Sequence, residues 1–243
     1  MAEGAGRLLL RLRDELRGAP PATVRDQGDR QAHDWILGTL GSARPGDAVL
    51  SEEGDLQDLA RLMARRVWIV DPLDGTREFG DPGRGDWAVH VALWEHGLLV
   101  AAAVALPAEG MCFTTAAAVP VPPPVAGRPL RLVASRTRRS TIVDDVAQRV
   151  GAEVVPMGSA GAKAMAVVRG EADIYAHAGG LNEWDVAAPA AVAAAAGLHV
   201  SHLDGSPIVY NRLSPLVGDL LICRRELAAA AIVSPTQRRP PKP

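Results

Sequence analysis

Trp68-Ile69-Val70-Asp71-Pro72-Leu73-Asp74-Gly75-Thr76-Arg77-Glu78-Phe79 is the stretch on which the reading of this chain turns. The apolar run from Val67 to Val70 predicts a strand, and it leads straight into two carboxylates, Asp71 and Asp74. A Gly-Thr pair follows, where backbone N–H groups can be left free. Carboxylates at a strand end suit a hard, oxygen-seeking cation such as Mg²⁺. Free N–H groups beside them suit a phosphate oxygen. The combination points to metal-assisted phosphate chemistry. Asp-Pro and Asp-Gly are also ordinary turn dipeptides, so the stretch alone leaves a plain connection open. Three further acidic positions stand in suggestive contexts. Glu52-Glu53 follows the apolar Ala48-Val49-Leu50, Asp185 opens an alanine-rich helix in Glu183-Trp184-Asp185, and Asp29 opens a helix expected over Asp29 to Leu40.

Three of these segments carry a family resemblance. Ser51-Glu52-Glu53, then Asp71 to Phe79, then Trp184-Asp185-Val186-Ala187-Ala188-Pro189 resemble, in that order, the three signature motifs of the inositol-monophosphatase superfamily. The resemblance runs from about Asp29 to Glu226. Within it, Arg77-Glu78-Phe79 is similar to the Lys/Arg-Glu-Phe of the CysQ branch, the 3′(2′),5′-bisphosphate nucleotidases, where inositol monophosphatases more often carry Thr-Asn-Phe. Gly205-Ser206-Pro207-Ile208-Val209-Tyr210-Asn211 resembles that branch's Gly-x-Pro-Leu-x-Tyr-Asn, and Lys163 stands where the branch has a lysine.

Bulk properties narrow the remaining classes. At 243 residues the chain can bury a large core. Apolar content of 48% with 22% charged residues is ordinary for a soluble globular protein. A net charge of −2 provides no basic field for a nucleic-acid polymer or an anionic membrane. Aromatic residues at 4% are too few for a platform that stacks single strands. Cys112 and Cys223 are far apart in apolar runs, which reads as two buried thiols in a reducing cytoplasm. Acidic residues and arginines interleave with Leu8-Leu9-Leu10, unlike a signal peptide. The runs Leu98 to Pro107 and Val186 to Gly197 are too short or too alanine-rich to span a bilayer.

Leucines at helical spacing predict an amphipathic helix over Ala2 to Arg17, ended by Gly18-Ala19-Pro20-Pro21. Trp87 to Trp94 and Leu98 to Leu106 read as a hairpin around Glu95-His96-Gly97, and Met111 to Thr115 as a further strand. The proline-rich Val119 to Gly127 cannot sit inside a helix or a central strand and marks a boundary. Beyond it strands and helices alternate. Strands are expected over Arg131–Ala134, Glu153–Pro156, Asp173–Ala176, His199–His202 and Leu220–Cys223, and helices over Ile142–Val150, Gly161–Arg169 and Trp184–Ala196. The chain thus divides into an N-terminal α+β half (1–118), a connection (119–129), a C-terminal α/β half (130–233) and a tail (234–243) that lacks apolar anchors and reads as disordered. The resemblance implies α-β-α-β-α layers with the active site between the halves.

The resemblance also implies roles. Glu52, Asp71 and the Leu73 carbonyl would hold one Mg²⁺ ion, and Asp71, Asp74 and Asp185 a second, with a third, weaker ion near Glu52. Thr76 would orient the attacking water, with Glu52 beside it and Asp29 as proton acceptor, although Asp26-Gln27-Gly28-Asp29 departs from the family's Thr-x-Ala-Asp. Asp29 is equally a good helix N-cap, and Asp185 equally suits a helix N-terminus on electrostatic grounds. The Gly75 and Thr76 N–H groups would bind the scissile phosphate. Ser159 in the Gly158-Ser159-Ala160-Gly161 stretch, with its free N–H groups, and Lys163 in the helix turn after it would form a second anion site, with Arg136 and His177 as further candidates. His177 stands where relatives often have arginine, and Arg138 where some have histidine. The expected activity is Mg²⁺-dependent removal of the 3′-phosphate from 3′-phosphoadenosine 5′-phosphate, extending to its sulfated relative, in sulfur assimilation and sensitive to lithium. An inositol-1-phosphatase or fructose-1,6-bisphosphatase with the same metal site is the alternative, and a non-catalytic binding protein the rival from another class. Relatives include homodimers, and the hairpin Trp87 to Leu106 could supply such an interface or belong to the core.

Overall fold

The computed structural model describes residues 1–55, 59–137 and 140–233. Two helices open the chain, α1 (Ala2–Glu15) and α2 (Pro21–Ala43). A first run of strands follows: β1 (Ala48–Ser51), β2 (Arg66–Asp74), the short α3 (Thr76–Phe79), β3 (Ala88–Glu95), β4 (Leu98–Leu106) and β5 (Met111–Thr114). After the proline-rich connection come β6 (Arg131–Ser135), α4 (Thr141–Val150), β7 (Glu153–Met157), α5 (Ala160–Val168), β8 (Ile174–Asn182), α6 (Glu183–Ala195), β9 (His199–Ser201), β10 (Leu216–Cys223) and α7 (Ala228–Ala231). The strands form two five-stranded sheets, ordered β1-β2-β3-β4-β5 and β7-β6-β8-β10-β9. Both are mixed: β1 runs parallel to β2, and β6 parallel to β7 and β8, while the other pairs are antiparallel.

Three apolar layers hold these elements together. On the outer face of the first sheet, Leu9, Ile36 and Leu40 of α1 and α2 pack against Val70, Leu73 and Val89. Between the sheets lie α5 and α6, where Met165, Val186 and Ala187 meet Ile69 and Val104 from one side and Tyr175 and Leu220 from the other. Beyond the second sheet, Val143, Val146 and Ala231 of α4 and α7 cover Ile174, Leu221 and Cys223. The period-2 rule is visible in β10, whose Leu220 and Ile222 face the central layer while Leu221 and Cys223 face outward. The α-β-α-β-α layering is therefore present. Helix α6 can lie between two sheets because it is apolar nearly all round and built of small alanines.

Several boundaries differ from the sequence reading. Helix α2 begins at Pro21, eight residues before Asp29, because proline is well suited to a first helical turn whose N–H has no partner to lose. Asp29 is thus a mid-helix residue and not an N-cap. Strand β2 continues past Val70 to Asp74, β8 runs on to Asn182, and β10 starts at Leu216. These extensions are interrupted by Pro72, Gly179, Gly180 and Gly218, which break a strand pattern. The tail expected to be disordered and Arg138 lie outside the described residues. Among the described residues, no helix is long and apolar enough to cross a membrane.

The second sheet is tied to the proline-rich connection by one buried charge. Asp173 is fully buried and accepts from Arg128 (3.0 Å), from Arg224 Nε (2.9 Å) and from the Arg131 N–H (2.9 Å). Arg224 Nη1 in turn donates to the Pro122 carbonyl at 2.8 Å. Removing one member of such a cluster leaves buried charge without a partner. Asp173→Ala is expected to cost about 3–5 kcal/mol and to lower the melting temperature by roughly 10 °C. Thermal unfolding followed by circular dichroism checks it.

Candidate active site

Two carboxylates on one strand would normally face opposite sides when three residues apart. Here the β2–β3 register shifts between Asp71 and Asp74, at Pro72-Leu73. Proline has no N–H to continue the ladder, and the resulting irregularity re-aims the strand. Asp71 and Asp74 consequently converge, and Asp185 of α6 joins them: one oxygen from each lies within 4.8 Å of the others. Gly75 follows at φ +88°, a left-handed conformation that starts α3, and a Cβ there would come within 3.2 Å of the Asp86 carbonyl. The turn therefore needs glycine.

Each carboxylate is held by one oxygen. Asp71 Oδ1 accepts from the Leu73 N–H at 3.0 Å, while Asp71 Oδ2 is buried without a partner. Asp74 Oδ2 accepts from Ser159 Oγ (2.5 Å) and from the Gly161 N–H (2.7 Å), and His90 Nε2 lies 3.2 Å away. Asp185 Oδ2 accepts from the Asn182 N–H at 2.6 Å within a capping box. The helix-terminus role proposed for Asp185 is therefore real, and it occupies one oxygen only.

The approach of α5 to the first sheet is very close. A Cβ on Gly161 would lie 2.2 Å from His90 Nε2 and 2.9 Å from Ala88 Cβ, so this contact requires glycine. Contrary to expectation, the N–H groups around Gly158 to Gly161 are not a free anion nest. The Gly158 N–H donates to Asp86 Oδ2 (2.7 Å), that of Gly161 to Asp74, and that of Ala162 to Ser159 Oγ (2.9 Å). Lys163 is buried, donating to the carbonyls of Gly158 (2.9 Å) and Ser159 (2.6 Å), with its ammonium 5.2 Å from the centre of the Tyr175 ring. It is a fixed positive charge behind the cluster.

Glu52 follows β1 in a turn, its N–H reaching the Val70 carbonyl at 3.3 Å. Its carboxylate stands outside the tight group of three, yet it is the strongest acidic influence on Asp71. One residue earlier, Ser51 Oγ is 3.1 Å from His33 Nδ1 on α2. One helical turn before His33 lies Asp29, whose Oδ1 is 3.1 Å from Thr76 Oγ1. Thr76 Oγ1 is also 3.0 Å from the Leu73 carbonyl, the group expected to bind an ion. A hydroxyl has one proton, so it donates to one of these acceptors at a time.

The electrostatics follow from burial and crowding of like charge. Burial, followed by repulsion from Glu52, Asp74 and Asp185, pushes Asp71 well above the usual carboxylate range. Burial and Asp74 raise Asp185 to about 6, and burial with Asp185 and Asp74 raises Glu52 to about 7. Asp29 rises to about 7, chiefly by burial against the opposing Thr76 hydrogen bond. Asp74 is the exception: burial works to raise it, but His90, Lys163 and Ser159 together outweigh this and hold it low. Burial lowers Lys163 to about 8.

A cleft of about 280 Å³ opens beside the carboxylates, lined among others by Thr76, Arg136, Lys163, Tyr175, His177 and Asp185. Arg136 reaches it but is already paired, with Glu78 at 3.0 Å and Asp86 at 2.9 Å. His177 Nε2 lies 3.0 Å from the Gly179 carbonyl. The sequence reading missed His90, Asp86 and the pairing role of Glu78. His90 is fully buried, with Nδ1 3.1 Å from the Trp184 carbonyl, and it links β3 to the first turn of α6. A histidine inside an apolar strand is the one signal that marked it; Asp86 in Gly85-Asp86-Trp87 carried none.

Comparison with known proteins follows the same line. The model of the inositol monophosphatase family matches residues 11–238. The chain is 52% identical over 231 residues to the 3′-phosphoadenosine 5′-phosphate phosphatase of Mycobacterium bovis, covering 92% of this chain and 86% of that protein. It is 33% identical to the 3′(2′),5′-bisphosphate nucleotidase CysQ of Escherichia coli O157:H7, covering 87% and 91%. The crystal structure of CysQ from Bacteroides thetaiotaomicron superposes with a TM-score of 0.74 at 27% identity, covering 92% of this chain and 94% of that one. Sequence motifs, layered fold and relatives agree that the chain belongs to the inositol monophosphatase family.

Proposed function

We propose that the chain is a Mg²⁺-dependent phosphomonoesterase that hydrolyses the 3′-phosphate of 3′-phosphoadenosine 5′-phosphate, giving AMP and phosphate. The observation that carries the metal-dependent chemistry is the group Asp71, Asp74 and Asp185, three acidic side chains from both sheets' surroundings within 4.8 Å, one of them with a buried oxygen that has no partner. Such an arrangement is unfavourable in isolation. A divalent cation resolves it, and an all-oxygen donor set suits Mg²⁺. The identity of the nucleotide is supported by the names of the relatives at 52% and 33% identity. A small phosphate ester, acted on in the cytoplasm, also suits a net charge of −2 better than a polymer does.

In this reading Asp71, Asp74 and Asp185 would hold the principal ions, with Glu52 completing the set. Bound there, divalent ions supply a more acidic water and stabilise charge on the leaving oxygen. The chain's own groups do the rest. Thr76 Oγ1, held between Asp29 Oδ1 and the Leu73 carbonyl, orients a water in the cleft. Asp29, raised to about 7, takes the proton passed through that hydroxyl, a value matched to transfer near neutral pH. The Gly75 and Thr76 N–H groups face the scissile phosphate. Lys163 acts from behind as a fixed charge, and Arg136, Ser159 and His177 line the side of the cleft where the rest of the nucleotide lies.

Two measurements test this reading. Phosphate release with Mg²⁺ should give a kcat/KM for 3′-phosphoadenosine 5′-phosphate exceeding those for inositol 1-phosphate and fructose 1,6-bisphosphate by roughly a hundredfold, about 2.7 kcal/mol in the transition state. Asp71→Asn should reduce all three to background. Equal values would instead favour a broad phosphatase.

The second measurement is of stability. Asp71, Asp185, Glu52 and Asp29 have folded-state pKa values above their ordinary ones. Native protein then binds protons more tightly than unfolded chain, so their contribution is full below about pH 4; that of Asp185, Glu52 and Asp29 is lost as pH rises through about 6–7, and Asp71 acts in the same direction. Asp74, shifted the other way, contributes across this whole window. Metal-free protein should melt lower at pH 8 than at pH 5.5. Mg²⁺ at a hundredfold excess over its Kd should recover roughly 5–10 °C at pH 8. Differential scanning calorimetry in EDTA and in Mg²⁺ reads both effects.

A further inference from the structure

The Tyr210-Asn211 pair belongs to a motif that the catalytic account leaves unused, and Asn211 does not line the cleft. It lies instead in a buried polar junction. Arg61, in the single helical turn Ala60–Met63 between β1 and β2, is 3% exposed. Its Nη1 donates to Asn211 Oδ1 at 2.7 Å and its Nη2 to the Arg212 carbonyl at 2.7 Å, while Asn211 Nδ2 returns a bond to the Arg61 carbonyl at 3.2 Å. On the other side, Glu183 accepts the N–H groups of Asn211 (2.7 Å) and Arg212 (2.9 Å), one on each carboxylate oxygen. Asn211 adopts φ +56°, a left-handed conformation that asparagine tolerates and most residues do not. That conformation turns consecutive N–H groups toward one carboxylate.

Glu183 is the first residue of α6 and Asp185 the third. Within one helical turn the two move as a body. Trp184, between them, is tied through its carbonyl to His90 of β3. The start of α6 is thus anchored twice to the half of the molecule that carries Asp71 and Asp74: through His90, and through Asn211 to Arg61, which lies just ahead of β2. We propose that Arg61 and Asn211 are positioning residues that hold Asp185 at its reach from Asp71 and Asp74, and so set the affinity for the catalytic cation. This rests on the metal-dependent reading above. Neither residue touches substrate; both act through Glu183 and the first turn of α6.

The test is the Mg²⁺ concentration that gives half of the Mg²⁺-induced rise in melting temperature, for the parent protein, Arg61→Met, Asn211→Gly and the double variant, with kcat and KM at saturating Mg²⁺ alongside. Asn211→Gly keeps φ +56° accessible, so it folds even if Arg61→Met does not. Each single variant should raise half-saturation by about tenfold while KM for the nucleotide stays within about twofold. The double variant should resemble the singles, because one junction is broken once. Half-saturation within about twofold of the parent, whatever the loss of metal-free melting temperature, would make the junction a simple brace and overturn the proposal. A raised KM with unchanged half-saturation would overturn it in favour of a substrate contact, and a double variant near a hundredfold would mean two independent effects. A parent protein that shows no Mg²⁺-induced rise would instead defeat the metal reading itself.

Discussion

Three carboxylates brought within 4.8 Å of one another are the constraint around which the molecule is arranged. Burial and mutual repulsion both oppose this, and both push Asp71 and Asp185 above the ordinary carboxylate range. Left to relax, α6 would move away from β2. The apolar central layer prevents that, since Val186, Ala187 and Ala188 are buried against residues of both sheets. Helix packing worth many small contacts thus holds in place a polar group that is unfavourable without a cation.

The protein offsets part of this charge with its own groups. Asp74 is the best supported of the three, with Ser159, the Gly161 N–H, His90 and Lys163 around it, and it alone is held low. Asp71 has one backbone bond and one buried oxygen without a partner. This asymmetry suits the cation-binding roles proposed for the two. Asp74 is a fixed anion, oriented through its second oxygen, and Asp71 is the group whose charge most needs an ion. The close contact of Gly161 with His90 shows how tightly α5 must press on β3 to deliver those bonds. The carboxylate side of the cleft is braced by these contacts. On its other side the cleft has the Arg136–Glu78–Asp86 network, in which Arg136 already has two acidic partners.

What the chain revealed before folding was local chemistry in order. Asp71, Asp74, Gly75, Thr76 and Asp185 were legible because acidic residues at strand and helix ends stand out against apolar runs. The Thr76–Asp29 contact was expected from the family resemblance alone, and Asp29 was misplaced at a helix start, since the polar Ala22 to Gly28 hid the first two turns of α2. The bulge at Pro72-Leu73 was not legible as such: a proline after a strand reads as a turn, and only pairing with β3 turns it into a re-aimed strand. The free N–H groups expected around Gly158 to Gly161 were the main misreading. Small residues suggested an anion nest, but they serve close packing, and their N–H groups were claimed by Asp86, Asp74 and Ser159. Asp86 and Asp74 are 72 or more positions from their donors in sequence, beyond any local pattern. The partners of His90 and Arg61 are as distant, at Trp184 and Asn211, so their roles could not be read locally either.

The central claim is that Asp71, Asp74 and Asp185 form one cation site. Anomalous diffraction from crystals soaked in Mn²⁺, a stand-in for Mg²⁺ that scatters detectably, tests it most directly. The account predicts ion density in contact with Asp71 Oδ2 and shared with Asp74 and Asp185, lost in Asp71→Asn. Ordered density elsewhere in the cleft, with these three carboxylates untouched at saturating metal, would contradict it.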